Sequence, residues 1–249
     1  MMPRLQALLW DVDGTLADTE QNGHRLAFNA AFAEAQLAWH WNNSTYSDLL
    51  AVTGGIERMR AWAKQQQIKS NQFKSIQTKS KNQIDPLAES ELEELLIRLQ
   101  ASKQKHYRRI LKEQLFPLRP GVERLLLEAR AAGLCQVLVT SSGRNSVEAL
   151  LQHHPQLNNC WQHWICAEDV QTKKPHPEAY ALALKKLGLP AAAAIAIEDS
   201  AQGLAAARGA GLKVLITAKA KPGLEGAAAI VDDLDAGAIN LAKLQQFVD

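Results

Sequence analysis

The stretch LLWDVDGTL, residues 8–16, ends an apolar run with two aspartates and a glycine. The run from Leu5 to Trp10 is short, continuous and apolar, which indicates a buried strand. Alternate side chains of an extended strand point the same way, so Asp11 and Asp13 are expected to face one region beyond its carboxyl end. In open α/β sheets, ligands bind in that region. The stretch therefore predicts a ligand site at the end of a strand.

The pair Asp11 and Asp13 needs a compensating positive charge. Two carboxylates held close together repel each other unless a cation or a shared proton offsets the repulsion. A hard divalent ion such as Mg²⁺ takes oxygen ligands and keeps waters for a phosphorylated substrate. The pair therefore indicates a magnesium site, and two solvated aspartates in a turn are the alternative that this motif alone leaves open.

The composition is that of an ordinary globular protein. The chain has 249 residues, of which 47% are hydrophobic and 22% charged, and its net charge of +2 gives no argument for nucleic acid. No apolar run approaches the ~20 residues of a membrane span, and the first ten residues lack the length and cleavage site of a signal peptide. The cysteines are odd in number, without metal-ligand spacing: Cys135, Cys160 and Cys166. We therefore expect a cytoplasmic protein without disulfides or zinc.

The pattern along the chain predicts two domains. Residues 18–116 show helical spacing of apolar residues and no convincing strand, which predicts an all-helical cap domain. It interrupts an α/β core of residues 1–17 and 117–249, where strands alternating with helices predict a Rossmann-like parallel sheet with right-handed crossovers. The cap is expected to lie over the first strand's carboxyl end as a lid. Within it, the polar stretch Gln65–Gln83 predicts a solvated loop, or a basic patch for an anion. In the core, Pro120 is expected to begin a helix.

Three further strand ends of the predicted sheet carry polar side chains. Residues 140–143, Thr-Ser-Ser-Gly, offer hydroxyl and N–H groups beside a helix start, where phosphate binds readily. Residues 173–175, Lys-Lys-Pro, offer an ammonium group, and residues 198–200, Glu-Asp-Ser, a second acid pair. Helix capping or a solvated surface would explain each motif alone. Acid, hydroxyl, lysine and acid on successive strand ends instead favour one phosphate and metal site.

The string DVDGTLADTE, residues 11–20, resembles the first motif of the haloacid dehalogenase superfamily, whose members are mostly phosphatases and phosphomutases. The threonine of LVTSS, the lysine of KKP and the acids of IEDS resemble its other three motifs in the same order. The resemblance implies that Asp11 is the nucleophile and Asp13 the general acid and base. It also implies that Thr140 and Lys174 hold the transferring phosphoryl group. The carboxylates that it assigns to Mg²⁺ are Asp11, Asp13, Glu198 and Asp199.

A narrower resemblance, to the CbbY proteins, extends over nearly the whole chain. It rests on DVDGTLADTE with His24-Arg25, Trp39-x-Trp41, Tyr46-x-x-Leu49-Leu50, Thr53-Gly54-Gly55, LRPGV at 118–122, VEAL at 147–150 and the run 196–211. These phosphatases remove the 1-phosphate of xylulose 1,5-bisphosphate, so the resemblance implies conversion of that compound to xylulose 5-phosphate. Ile56 stands where the family usually has a lysine, so one of the cations expected to bind the substrate is replaced by an apolar residue. The expected substrate-binding residues are Glu20, His24, Gly54, Gly55, Arg58, Arg119, Ser141 and Ser142.

Two alternatives to this function use the same residue types. One is a β-phosphoglucomutase-like enzyme or another small sugar-phosphate phosphatase, because a mutase and a phosphatase share the catalytic set. The other is a phospho-receiver signalling domain, against which the ~100-residue insert and Asp13 argue, since connections in compact domains are usually short. We expect a monomer whose partner is a small phosphorylated sugar, with neither nucleic acid nor membrane.

Overall fold

The computed structural model describes residues 4–52, 54–74, 86–220 and 222–248. For residues 67–74 and 86–88 it describes the backbone alone. The chain divides into two compact units, one of Met1–Glu20 with Leu111–Asp249 and one of Gln21–Ile110. The first unit contains strands and helices, whereas the described part of the second contains helices. The predicted α/β class is therefore confirmed, and the exact domain boundaries at 18 and 117 stay a prediction.

A six-stranded parallel sheet forms the centre of the first unit, in the order β3-β2-β1-β4-β5-β6. Its strands are β1 (Ala7–Trp10), β2 (Cys135–Val139), β3 (His163–Ile165), β4 (Ala194–Glu198), β5 (Lys213–Thr217) and β6 (Ala229–Val231). Every residue of β1 is buried, because β2 and β4 pair with it on either side. The chain leaves β1 at the point where the strand order reverses, which is where open α/β sheets bind ligands.

The helices, numbered in chain order, are α1 (Arg25–Glu34), α2 (Asn43–Leu49), α3 (Gly55–Lys74), α4 (Pro86–Glu113), α5 (Val122–Ala131), α6 (Arg144–Leu151), α7 (Glu178–Leu187), α8 (Ala201–Gly209) and α9 (Leu241–Val248). One core of the α/β unit joins small and branched side chains of β1, β2, β4 and β5 to those of α7 and α8, among them Leu9, Val139, Ala183, Ala196 and Ala207. This packing holds the carboxyl ends of the strands at one edge of the sheet.

An aromatic cluster forms the core of the helical unit. Trp41 is fully buried, and its ring lies 4.7 Å from that of Phe28 and 4.9 Å from that of Phe32, measured between centroids. Tyr46 and Met59 complete the buried cluster. The side chain of Ile56, the residue that replaces the family's lysine, packs against this cluster. In the described part of the chain, no helix combines the length and apolar character that a membrane span requires.

Two local predictions are wrong. The sequence predicts a solvated loop over residues 65–83, yet α3 continues to Lys74, because glutamine and lysine are good helix formers. The rest of that stretch, 75–83, lies outside the described residues. Pro120 does not begin a helix: it sits in a turn with Gly121 at φ +80°, and α5 starts at Val122.

Candidate active site

Asp11, Lys174 and Glu198 form a buried ion-paired cluster at the carboxyl ends of the strands. Asp11 follows β1, Glu198 ends β4, and Lys174 lies in the connection between β3 and α7. The ammonium group of Lys174 donates hydrogen bonds to Asp11 Oδ1 at 2.8 Å and to Glu198 Oε1 at 2.5 Å. It also donates to the carbonyl of Val139 at 2.7 Å. Such charge-assisted bonds fix the lysine between the two carboxylates.

Burial and mutual charge both shift the pKa values of this cluster. Burial and the negative charge of Glu198 raise the pKa of Asp11 to about 7, against the lowering effect of Lys174. Burial would lower the pKa of Lys174, but the charges of Asp11 and Glu198 outweigh it, so this pKa lies above its usual value. The lysine therefore stays charged at neutral pH, and it does not fully compensate the carboxylates around it.

A third carboxylate, Asp199, completes an acidic cluster. Oxygen atoms of Asp11, Glu198 and Asp199 all lie within 4.8 Å of one another. Three carboxylates against one lysine fit a divalent cation, which takes oxygen ligands and would supply the missing charge. Asp13 is not part of this cluster, so its predicted role as a metal ligand stays a prediction.

Asp13 is held by two hydroxyl groups. Thr19 Oγ1 donates to Asp13 Oδ1 at 2.6 Å, and Ser142 Oγ donates to Asp13 Oδ2 at 2.5 Å. Thr19 is fully buried and was not singled out in the sequence, although it lies within the first motif. Ser142 was expected to contact the substrate, and in this structure its hydroxyl group orients Asp13. These two hydrogen bonds orient the carboxyl group of Asp13.

The loop after β2 presents the predicted phosphate-binding groups. Thr140 is buried, and its hydroxyl oxygen accepts a hydrogen bond from the N–H of Ser142 at 3.0 Å. Lys174 binds the carbonyl of the preceding residue, so the lysine and the threonine are anchored to the same strand end. Ser141 is exposed at the tip of this loop. The structure thus brings Asp11, Thr140 and Lys174 to one edge of the sheet.

Tyr180 on α7 is a site residue that sequence reasoning missed. Its hydroxyl group donates to Glu198 Oε1 at 2.6 Å, and the Lys174 ammonium lies 4.9 Å from its ring centroid. Burial, followed by the charges of Glu198 and Asp11, raises the pKa of Tyr180 well above its usual value, so it remains a donor at neutral pH. An aromatic residue at helical spacing predicts core packing, and no sequence signal distinguishes it from a site residue.

The expected substrate-binding residues are divided between the two units. Glu20 and Arg119 belong to the α/β unit, and His24, Gly54, Gly55 and Arg58 to the helical unit. In the helical unit, His24 Nδ1 lies 2.6 Å from the Nζ of Lys103, a buried lysine that the sequence did not indicate. Arg58 donates to the carbonyl of Val52 at 2.9 Å and to the hydroxyl of Tyr46 at 3.2 Å. The role of all six in substrate binding stays a prediction.

Comparison with known proteins relates this arrangement to one family. A family model described as haloacid dehalogenase-like hydrolase matches residues 5–211. The chain is 39% identical to the plasmid-encoded protein CbbY of Cupriavidus necator over 240 residues. The aligned region covers 92% of this chain and 86% of that protein. It is 37% identical to the CbbY protein of Rhodobacter capsulatus, over 86% of this chain and 85% of that protein.

Solved structures give the same relation. This chain superposes on CbbY from Rhodobacter sphaeroides in complex with phosphate with a TM-score of 0.77 and 32% sequence identity. The superposition covers 96% of this chain and 99% of that chain. A mutant of that protein in complex with xylulose-(1,5)bisphosphate has a TM-score of 0.76 and 31% identity, over 97% and 99%. A β-phosphoglucomutase from Clostridium difficile has a TM-score of 0.73 at 19% identity, a likeness of fold alone.

Proposed function

We propose that this chain, which belongs to the haloacid dehalogenase-like hydrolase family and within it to the CbbY proteins, converts xylulose 1,5-bisphosphate to xylulose 5-phosphate and phosphate. The family makes it a phosphatase, and a relative solved in complex with xylulose-(1,5)bisphosphate supports a sugar phosphate as its substrate. The observation that carries the proposal is the buried cluster of Asp11, Lys174 and Glu198. We expect it to work as a monomer in the cytoplasm.

The first step is phosphoryl transfer to Asp11. A carboxylate oxygen of Asp11 attacks the phosphorus atom, a P–O bond forms, and the bond to the sugar oxygen breaks. Lys174 lies 2.8 Å from this carboxylate, where its charge offsets the repulsion between two anions. Thr140 and the neighbouring N–H groups bind phosphoryl oxygens. Asp13, in its protonated form, donates a proton to the departing sugar oxygen, which leaves as a hydroxyl group.

The second step is hydrolysis of the phosphorylated Asp11. Asp13, now a carboxylate, accepts a proton from water as the water oxygen attacks phosphorus. The bond between phosphorus and Asp11 breaks, which releases inorganic phosphate and restores the nucleophile. The hydrogen bonds from Thr19 and Ser142 stabilise the carboxylate form of Asp13 that this step requires. One residue thus serves as acid and then as base.

The acidic cluster fits a magnesium ion. Asp11, Glu198 and Asp199 offer oxygen ligands within 4.8 Å of one another, and Asp13 is a fourth candidate from the sequence. When bound, Mg²⁺ supplies positive charge to the phosphoryl oxygens and to Asp11. Lys174 and Tyr180 keep Glu198 in place by hydrogen bonds, so that its carboxylate remains oriented toward the cluster.

A panel of phosphorylated sugars tests the proposed reaction. We expect release of phosphate from xylulose 1,5-bisphosphate with a kcat/KM at least tenfold above that for glucose 1-phosphate, since a second phosphate adds charge-assisted contacts of about 1.5–3 kcal/mol. Arg58→Ala should lower kcat/KM markedly for the bisphosphate and little for the monophosphate. Free phosphate and isomerised sugar phosphate are measured side by side. Equal kcat/KM for both substrates, or isomerisation in place of phosphate release, would contradict the proposal.

A further inference from the structure

Arg119 closes the turn that carries Asp13. Its backbone N–H donates to the carbonyl of Leu16 at 2.8 Å, and its guanidinium Nη1 donates to the carbonyl of Gly14 at 2.8 Å. The other terminal nitrogen, Nη2, donates to the carbonyl of Asp232, just after β6, at 2.6 Å. A guanidinium group holds its donors in a fixed plane, so two such bonds set the distance between the two loops.

Gly14 is held on both sides by backbone hydrogen bonds. Its N–H donates to the carbonyl of Ala17 at 2.8 Å, and its carbonyl accepts from Arg119, so both of its backbone polar groups are engaged. Its φ of +87° is one that glycine adopts without strain, and a Cβ here would overlap the carboxylate of Asp199. Because Gly14 follows Asp13 directly, fixing it also fixes the direction in which Asp13 leaves the backbone.

We propose that Arg119 is a positioning residue that holds Asp13 in place for proton transfer. The inference rests on the proposed function, in which Asp13 is the acid and the base. Its carboxylate is anchored at its far end by Thr19 and Ser142, and Arg119 anchors the backbone at its near end. A misplacement of about 1 Å in a catalytic group can cost about 10²-fold in rate. Loss of Arg119 therefore affects the proton transfer more than the binding of phosphate.

This role differs from the one expected from the sequence, in which Arg119 binds a second phosphate. Two of the five N–H donors of the guanidinium group, one on each terminal nitrogen, donate to backbone carbonyls and fix the orientation of the group. If Arg119 bound the second phosphate, its loss would lower kcat/KM for bisphosphates alone. If it positions Asp13, its loss lowers kcat/KM for every substrate whose leaving group needs a proton. Nitrophenolate is a stable anion and leaves without receiving a proton, whereas the oxygen of a sugar or of glycerol must receive a proton as it leaves. Three kinds of substrate therefore separate the two roles.

The test is kcat/KM of Arg119→Met with xylulose 1,5-bisphosphate, with alkyl monophosphates such as glucose 1-phosphate and glycerol phosphate, and with p-nitrophenyl phosphate. We expect a loss of about tenfold or more for both groups of alkyl phosphates, in the same ratio, and a much smaller loss for p-nitrophenyl phosphate. Arg119→Lys should restore part of the activity, because one ammonium can still donate to a carbonyl. If Arg119→Met does not fold, Arg119→Lys and Arg119→Gln carry the same comparison.

Arg124→Met is the matched control. Arg124 lies on α5 and donates to Asp235 Oδ1 at 3.0 Å and to the carbonyl of Ile239 at 2.9 Å, without contact to Gly14. We expect its kcat/KM to stay within about twofold of wild type for all substrates, since surface substitutions are usually mild. A loss confined to the bisphosphate would assign Arg119 to phosphate binding and overturn the proposal. An equal loss of kcat/KM for all substrates would overturn it as well. So would kcat/KM values of Arg119→Met equal to those of Arg124→Met.

Failure of the proposed function gives a different result from failure of this inference. If the wild type releases no phosphate from any sugar phosphate, the proposed function fails. Glycerol phosphate and p-nitrophenyl phosphate contain no sugar, and their comparison still tests Arg119. In that case, equal losses for these two substrates in Arg119→Met would overturn the positioning role, and a loss confined to glycerol phosphate would support it.

Discussion

The hydrogen bond from Tyr180 to Glu198 stabilises a buried carboxylate. Glu198 is fully buried, and its Oε1 accepts from Tyr180 at 2.6 Å and from Lys174. Removal of a donor leaves a buried charged acceptor less satisfied, which costs about 1–3 kcal/mol. We therefore expect Tyr180→Phe to lower the free energy of unfolding in urea by about that amount, with little change in denaturant slope. An unchanged midpoint would contradict this role of the hydroxyl group.

The residues of the site differ in how far the sequence identifies them. Asp11, Lys174 and Glu198 lie in short motifs that carry unusual chemistry at strand ends, so their meeting could be predicted. Tyr180 and Lys103 could not. Tyr180 stands among apolar residues of α7 and Lys103 among polar residues of α4, and the side-chain partners of both depend on tertiary packing. Arg119 was identified as a candidate cation, but its hydrogen bonds to two carbonyls could not be read from its position.

At the scale of elements, α3 and α4 are joined by an ion pair with two hydrogen bonds. Arg60 Nε and Nη2 each donate to a carboxylate oxygen of Glu93 at 2.7 Å. The hydrogen bond from Arg60 lowers the pKa of Glu93 below its ordinary value of 4.5. A depressed folded-state pKa means that the stabilisation is present above pH 4.5 and is lost as pH falls through the folded pKa.

Glu93→Gln tests this linkage between helices. We expect the difference in unfolding free energy between wild type and variant to be constant near pH 7 and to shrink as pH falls below about 4.5. Glu91→Gln on the same helix is the control, because it removes one carboxylate from α4 and leaves the ion pair of Arg60 with Glu93 in place. Denaturant unfolding between pH 3 and pH 7 measures both. A difference that grows on acidification would show that the sign is wrong.

The elements were predictable where the pattern was strong. The apolar run from Leu5 to Trp10 predicted β1, which spans Ala7–Trp10, within two residues. The strand β6 has only three residues, Ala229–Val231, and follows a run of alanines, so neither its length nor an alternating pattern distinguishes it. The amphipathic helix α9 was also missed, although Leu241, Leu244 and Val248 have helical spacing. The sequence of the far end of α3 is mostly polar, which is as typical of a loop as of a solvated helix.

For the whole molecule, the topology of the sheet explains why distant motifs act together. Asp11 and Lys174 are 163 residues apart in the chain and 2.8 Å apart in space. Parallel strands place all their carboxyl ends at one edge of the sheet, so each motif needs only to follow its own strand. The helical unit, residues Gln21–Ile110, is inserted after the first of these motifs. Its role as a lid and its contribution to substrate choice remain predictions from the sequence.

The central claim, that Asp11 carries the phosphoryl group during turnover, is tested most directly by rapid acid quench and peptide mass spectrometry. Wild-type enzyme is mixed with xylulose 1,5-bisphosphate and Mg²⁺, quenched within one turnover, and digested. We expect the mass of one phosphoryl group on the peptide that contains Asp11, its loss in Asp11→Asn and in excess chelator, and its retention in Asp18→Asn, a change at an exposed residue of the same loop. Phosphate release without this label, or undiminished turnover by folded Asp11→Asn, would contradict the account.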